Sequence, residues 1–215
     1  EKEDDGEIDE TLQESDSILA KGMVYQNGLP VKEADTAFPM ITQLREESSL
    51  GSKDGDEVYT IDYLTLSDKA NMGTGSSSRW YPQGDGTAFV LENLGTIHDL
   101  CLDHVSVTGD QNTAAVCAYN GGTLENLTVA GSIEAKDFAA GIFAASLPMK
   151  EEDETLSKLV NHAKVTADGT AAGIVAQTKE KVLLEDCVNT GVIEAAVAAG
   201  ITTAECENLV LMRCQ

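Results

Sequence analysis

The feature that most constrains this chain is a long internal repeat that begins near Val90. Four copies start at Gly95, Gly122, Glu154 and Val182. One apolar position of the repeat is led by Val90 and advances by 26, 26, 32 and then 27 residues, through Val116, Ile142, Ile174 and Ile201. The single long step is explained by a charged insertion, residues 148–153, which we expect to form an outer loop. A fixed period of this length indicates a repeat architecture rather than a single packed core.

Three further apolar positions recur in the same copies. They are Ile97, Leu124, Leu156 and Leu184; then Leu100, Leu127, Leu159 and Cys187; then Val107, Ile133, Val165 and Ile193. The apolar runs are short, rich in β-branched residues and separated by Gly, Asn, Asp and Thr, which is typical of strands joined by turns. One such unit cannot bury its own inward side chains, so successive units must stack. We therefore predict an all-β parallel β-helix with about 27 residues per turn.

Two other architectures fit the sequence less well. A leucine-rich repeat has a similar period but needs a helix after its consensus line, whereas Ala- and Gly-rich segments stand there. An ordinary β-sandwich would not keep so regular a register. We call the position led by Val90 the fourth anchor, because it comes last in each copy of the repeat. The glycines directly before it, Gly141, Gly173 and Gly200, predict a tight bend in each coil. The five cysteines lack metal-ligand or disulfide spacing, and most align with aliphatic residues, so we interpret them as small buried side chains.

A family resemblance rests on three stretches of this repeat: GTLENLTVAGSIEA with AAGIFA, TLSKLVNHAKVTA with AAGIVAQ, and LEDCVNTGVIEA with AAGITT. These lines resemble the GLUG-type repeats of bacterial surface and secreted proteins, and the resemblance covers residues 58–215. Ala140, Ala172 and Ala199 stand where the family usually has a second Gly. The resemblance implies a right-handed parallel β-helix that is exported and serves in adhesion or as a spacer.

Residues 1–57 are expected to form a small mixed cap on the β-helix, which begins at residue 58. Leu12, Ile18 and Leu19 have a short helical spacing, and a second helical stretch is predicted over 36–44. Between them, Asn27-Gly28 predicts a hairpin turn between two short strands. Residues 46–56 are predicted to form a polar loop. At the other end, the interior of the last coil would be open to further chain or to end-to-end association with another copy.

The charge of the chain excludes several classes of partner. The formal net charge is −23, with 37 acidic and 14 basic residues. A surface of this sign repels nucleic acid, which is bound through Lys and Arg, and it disfavours anionic membranes. No run of residues is long and apolar enough for membrane insertion. The chain starts at Glu1, as it would after removal of an export signal, so we expect an extracellular or cell-surface location.

Two clusters are candidate binding sites. Asp54, Asp56 and Glu57 bring three carboxylates together and could hold Ca²⁺, although a solvated charge run gives the same pattern. Trp80, Tyr81 and Phe89 are the second cluster, and aromatic side chains of this kind bind sugars and peptides. The alternative is that these aromatic residues plug the junction between cap and coil.

The sequence offers little catalytic chemistry. His98, His104 and His162 show no metal-ligand spacing and are expected on turn surfaces, and no serine lies in a nucleophile motif. A glycan hydrolase would need two carboxylates about 5 to 9.5 Å apart, and acidic turn residues such as Asp99 and Asp186 could supply them. A polysaccharide lyase would need a basic residue over the substrate, but Arg213 is the only arginine of the repeats.

We therefore expect a non-catalytic, exported surface module without a tightly bound cofactor. Its β-helix would present a repetitive surface to a host or neighbouring surface glycan or protein. A carbohydrate-active β-helix enzyme is the alternative from another class, and a spacer domain of a larger secreted protein is the third.

Overall fold

The computed structural model describes residues 18–26, 29–32, 38–52, 58–67, 86–148, 155–203 and 205–215. Every regular element in these ranges is a β-strand, and none is a helix. The first strands are β1 Ile18–Gln26, β2 Leu29–Lys32, β3 Phe38–Leu44, β4 Ser49–Gly51, β5 Tyr59–Ser67, β6 Gly86–Thr87, β7 Val90–Asn93, β8 Thr96–Gly109, β9 Asn112–Ala114, β10 Cys117–Asn120 and β11 Thr123–Ala135. The others are β12 Phe138–Ala140, β13 Phe143–Ser146, β14 Thr155–Asn161, β15 Lys164–Ala167, β16 Thr170–Ala172, β17 Val175–Gln177, β18 Val182–Glu185, β19 Val188–Asn189, β20 Ile193–Glu194, β21 Val197–Ala199 and β22 Leu209–Met212.

From β3 onward the strands stack in parallel, copy upon copy, in three groups. The long stack contains β4, β5, β8, β11, β14, β15, β18, β19, β20 and β22. The return stack contains β3, β7, β10, β13 and β17. The alanine stack contains β6, β9, β12, β16 and β21. The predicted all-β parallel stacking is confirmed, and a complete coil passes once through each stack.

The apolar anchors align as the repeat predicts. Leu127 pairs with Leu100 on one side and with Leu159 on the other. Ile133 pairs in the same way with Val107 and Val165. Each of these side chains, like those of Val116, Ile142 and Ile174, is at most 2% exposed, and together they form one continuous core. Burial of aliphatic columns is thus the main force that holds successive coils together.

Buried asparagines satisfy the backbone at two corners of the coil. Asn93 donates from Nδ2 to Oδ1 of Asn120 at 2.7 Å, and these two residues are 27 positions apart in the chain. At another corner, Asn161 donates in the same way to Asn189 at 2.8 Å. Asn161 also bonds the backbone of Ala163 through both its amide nitrogen and its oxygen. Since a buried polar group without a partner is costly, these bonds allow asparagine to sit inside the coil.

The predicted glycine bends are explained by close approach of backbones. A Cβ on Gly141 would lie 2.1 Å from the carbonyl oxygen of Gly173, and one on Gly173 would lie 2.0 Å from that of Gly200. The Cβ on Gly141 would also collide with the side chain of Asn161, and the Cβ on Gly173 would collide about as closely with that of Asn189. Only glycine therefore lets consecutive coils meet at this bend.

The described part of the predicted cap contains strands in place of helices. The predicted helix over 36–44 is wrong, because β3 pairs in parallel with β7, Ile41 opposite Val90. Ile41 and Leu44 are both buried, and their spacing of three imitates a helical period. Ile18 and Leu19, expected in the first helix, lie in β1. The two strands of the predicted hairpin are present, since β1 and β2 pair antiparallel with Gln26 opposite Leu29, while the predicted turn residues Asn27 and Gly28 lie outside the described residues.

The first coil also begins earlier than the expected boundary between residues 57 and 58. β3 and β4 already stack on β7 and β8 in the parallel register of the later coils. β4 lies within the stretch 46–56 that was predicted to be a loop, and it places Leu50 in the core opposite Ile97. The antiparallel strand β1 pairs with β3 and β5 beside this first coil.

Candidate functional site

The structure describes only one of the six residues predicted to bind ligands. Trp80, Tyr81, Asp54, Asp56 and Glu57 lie outside the described residues, as do residues 149–153 of the charged insertion. Phe89 is 1% exposed and is among the largest fully buried side chains. Phe89 therefore packs in the core, as expected if the aromatic residues plug the junction between cap and coil. Its ring offers no surface to a ligand. No group of three metal-binding side chains occurs among the residues that the structure describes.

A row of polar residues lies at one corner of the long stack. One residue in each of the five coils that follow the first adopts a left-handed backbone conformation there, with φ between 48° and 55°. These residues form what we call the corner ladder: Asp99, Asn126, Lys158, Asp186 and Arg213. Asn and Asp tolerate this conformation because their short polar side chains can bond locally. The repeat thus brings residues from five coils into one row.

Side chains of neighbouring coils bond along the corner ladder. Asn126 donates from Nδ2 to Oδ1 of Asp99 at 2.5 Å. Arg213 donates to both carboxylate oxygens of Asp186 at 2.6 and 2.8 Å, and it also contacts Glu185. The hydrogen bonds and charge of Arg213 lower the pKa of the Asp186 carboxyl below its usual value. Because the side chains of Arg213 and Asp186 are 63% and 43% exposed, their attraction is screened by water and salt.

Asp99, the first residue of the corner ladder, belongs to a connected chain of three side chains. No pattern in the sequence links these three residues. Ser49 Oγ lies 2.8 Å from Nε2 of His98. The other ring nitrogen of His98, Nδ1, lies 2.8 Å from Oδ2 of Asp99. The result is a hydroxyl, an imidazole and a carboxylate joined in that order.

Strand register explains why these groups meet. Leu50 of β4 points inward and pairs with Ile97 of β8, so the residues on either side of them point outward. Gly51 pairs directly with His98 and has a φ of 148°, where a side chain is strained. A Cβ there would lie 1.8 Å from the His98 carbonyl oxygen and 3.2 Å from its ring carbon Cδ2. Gly51 therefore leaves the space that lets the His98 ring lean towards Ser49.

The carboxylate determines how protons are arranged in this chain. Partial burial raises the pKa of Asp99, but hydrogen bonds from His98 and Asn126 lower it by more, so that the pKa lies below its ordinary value. An ionised carboxylate can only accept, so Nδ1 of His98 must carry the hydrogen of that bond. In a neutral ring Nε2 then has a free lone pair, and it accepts the hydroxyl hydrogen of Ser49.

The other two histidines provide internal comparisons. His162 Nδ1 lies 2.5 Å from the hydroxyl of Thr190, in an exposed pair. His104 Nδ1 lies 3.4 Å from a carboxylate oxygen of Asp103. The surface position predicted for the histidines is confirmed for His104 and His162, whereas His98 is half-buried. The ring of His98, by comparison, is bonded to both a hydroxyl and a carboxylate.

A second repetitive feature lies on the outer side of the long stack. Thr108, Glu134, Thr166 and Glu194 occupy the same register position in four consecutive coils. We call this row the threonine–glutamate column. Glu134 and Glu194 are exposed, and Glu194 pairs with Lys164 at 2.7 Å. Hydroxyl and carboxylate groups therefore alternate along the stack, with a repeat of two coils, about 10 Å.

Several described carboxylates, including the hydrolase candidate Asp186, are engaged with cations. Glu185 and Asp186 bind Arg213, Glu125 binds Lys158 at 3.3 Å, and Asp110 binds Lys136. The hydrolase alternative thus remains a prediction from the sequence. None of the described residues forms a helix long and apolar enough to cross a bilayer. No protein-family profile, curated protein or solved structure matches the chain.

Proposed function

We propose that this chain is a non-catalytic, exported surface module that displays a repetitive polar surface to a glycan or protein of a host or neighbouring cell surface. In this proposal the parallel stacks form a right-handed β-helix with about 27 residues per turn, as the resemblance to GLUG-type bacterial surface proteins implies. The spacing of stacked asparagines, 27 residues at one corner and 28 at another, supports the turn size.

The observation that carries the proposal is the threonine–glutamate column. It offers hydrogen-bond donors and acceptors at fixed intervals on a rigid sheet, and rigid display lowers the entropy cost of binding. A ligand with its own repeat near 10 Å, such as a polysaccharide, could bond two coils in the same way twice. Glu134 and Glu194 would accept hydrogen bonds from sugar hydroxyls, since ionised carboxylates are strong acceptors.

Three further properties belong to the same proposal. Ca²⁺ bound at Asp54, Asp56 and Glu57 would offset part of the negative charge next to an anionic glycan. Trp80 and Tyr81 would add aromatic contacts for sugar rings. The last coil exposes apolar side chains such as Val192, 57% exposed, which a second copy or further coils would cover.

The experiment is a glycan-array screen of the whole chain, with and without calcium, followed by variants tested on the glycans that bind. We expect Glu134→Gln to weaken binding by about tenfold, because an ionised acceptor contributes more than a neutral one. Glu125→Gln is the matched control, since Glu125 is also exposed on the long stack but lies outside the threonine–glutamate column. Arrays without any binding in either condition, or equal losses in both variants, would overturn the proposal.

A further inference from the structure

We propose that Ser49, His98 and Asp99 form a nucleophilic site at which Ser49 takes up an acyl group from a small activated ester. This inference goes beyond the display function and does not depend on it. It starts from the chain of two 2.8 Å contacts, from hydroxyl to imidazole and from imidazole to carboxylate. A nucleophile within reach of a base that is itself oriented by a third group is the arrangement that activates serine.

Each side chain has a distinct role in the proposed step. His98 Nε2 is the base that removes the proton as Ser49 Oγ attacks the carbonyl carbon. Asp99 is a positioning residue, which fixes the proton on Nδ1 of His98 and stabilises the positive charge that the ring acquires. Asn126 holds the second oxygen of that carboxylate from the next coil. Three coils therefore contribute to one site.

The step balances as a simple acyl transfer. The bond from Ser49 Oγ to the carbonyl carbon forms, and the bond from that carbon to the leaving oxygen breaks. The proton of Ser49 passes to His98 and then to the departing alkoxide or phenoxide, which leaves as an alcohol or phenol. The products are an ester on Ser49 and the neutral site, without any oxidant, reductant or metal ion.

Access to the site suits a small reagent. The side chains of His98 and Asp99 are 24% and 19% exposed, and Ser49 is half-buried. The group is thus shielded enough to keep its geometry and still reachable from solvent. Since the His98 ring leans over Gly51, its approach to Ser49 is fixed by the register of β4 on β8 rather than by a loop.

The test incubates the intact chain with a fluorophosphonate, an electrophile that marks activated serines, and maps the modified residue by peptide mass spectrometry. We expect modification at Ser49 and none at Thr190, whose partner His162 has been found with a hydroxyl but not with a carboxylate. His98→Asn should slow labelling by about 100-fold, the contribution of a general base. With p-nitrophenyl acetate, one equivalent of p-nitrophenol should be released as Ser49 gains one acetyl group.

Two controls separate chemistry from folding. Ser157→Ala removes another outward serine of the long stack and should leave labelling unchanged. Asp99→Asn should slow labelling and also change the tautomer of His98, read from the ¹⁵N shifts of its ring nitrogens, which a purely structural role would not move. An unlabelled Ser49 in the unsubstituted chain, or an equal rate in the His98→Asn variant, would overturn the proposal. Neither result bears on glycan binding, so the two proposals fail separately.

Discussion

The middle coils and the last coil use the same residue types at the same positions, but their interiors are not equally covered. In the column of the fourth anchor, Ile142 and Ile174 are fully buried, whereas Ile201 is only partly buried. In another column, Val165 is buried and Ile193 is not. The difference teaches that an inward position between two stacked coils is more fully buried than one in the last coil, which has a stacked neighbour on one side only.

The largest difference is expected from truncation of the fourth anchor. Ile142→Ala should lower the free energy of unfolding by about 2–5 kcal/mol, because it leaves a cavity between two covering coils. Ile201→Ala should cost about 1 kcal/mol, since part of that side chain already contacts water. Urea unfolding of the two variants measures both values. Equal losses would mean that the last coil is covered in solution.

The glycine bend offers the next comparison. Gly173→Ala should lower the unfolding free energy by about 1–3 kcal/mol, because the new Cβ meets the Gly200 carbonyl oxygen at 2.0 Å. At Gly200 the nearest atom to a new Cβ is Asn189 Nδ2 at 4.0 Å, so Gly200→Ala should be close to neutral. Thermal unfolding followed by circular dichroism distinguishes the two. A neutral Gly173→Ala variant would refute the close approach of backbones at this bend.

Two cysteines in one column extend the comparison to reactivity. Burial raises the pKa of Cys187, which is 0% exposed, while Cys214 in the next coil is only partly buried. Because the thiolate is the reactive species, Cys214 should react with iodoacetamide at least about tenfold faster in the native chain near neutral pH. The pKa of buried Cys117 is also raised, so its protection serves as the control. Alkylation rates from peptide mass spectrometry that are equal for Cys187 and Cys214 would show that the last coil opens readily.

The smallest effect is expected at the exposed end of the corner ladder. The pKa of Asp186 is lowered in the folded chain, so its bond to Arg213 stabilises the fold above the unfolded pKa and ceases to do so as the pH falls through the folded pKa. Arg213→Ala should raise the pKa of Asp186 towards its ordinary value, as seen in an NMR titration of the carboxyl carbon. The pKa of Asp99, at the other end of the ladder, should stay where it is. An unchanged Asp186 would show that the contact with Arg213 does not persist in solution.

The parallel stacking could be predicted from the sequence because the same apolar positions recur in each copy of the repeat. Leu127, Ile133 and Ile142 each have counterparts at the same offset in the neighbouring copies, and the register follows from that alignment alone. β3 has no such counterpart in the repeat pattern, and the spacing of Ile41 and Leu44 imitated a helix. Only the pairing of β3 with β7 shows that this segment is a strand.

The nucleophilic site could not be predicted for a related reason. Ser49 and His98 are 49 positions apart, and Ser49 lies in a coil that the repeat pattern did not reach. No short motif joins them, because their contact depends on how β4 is placed against β8. Asp99, by contrast, is adjacent to His98 in the chain, but the geometry of their contact depends on the left-handed backbone conformation of Asp99.

Methyl NMR on a chain with labelled Ile and Val methyl groups tests the columnar stacking most directly. We predict strong nuclear Overhauser effects between Val116 and Ile142 and between Ile142 and Ile174, since adjacent coils are about 4.8 Å apart. Val116 and Ile174, two coils apart at about 10 Å, should show none. Missing effects between neighbours, or a strong effect between Val116 and Ile174, would contradict the stack and every inference built on it.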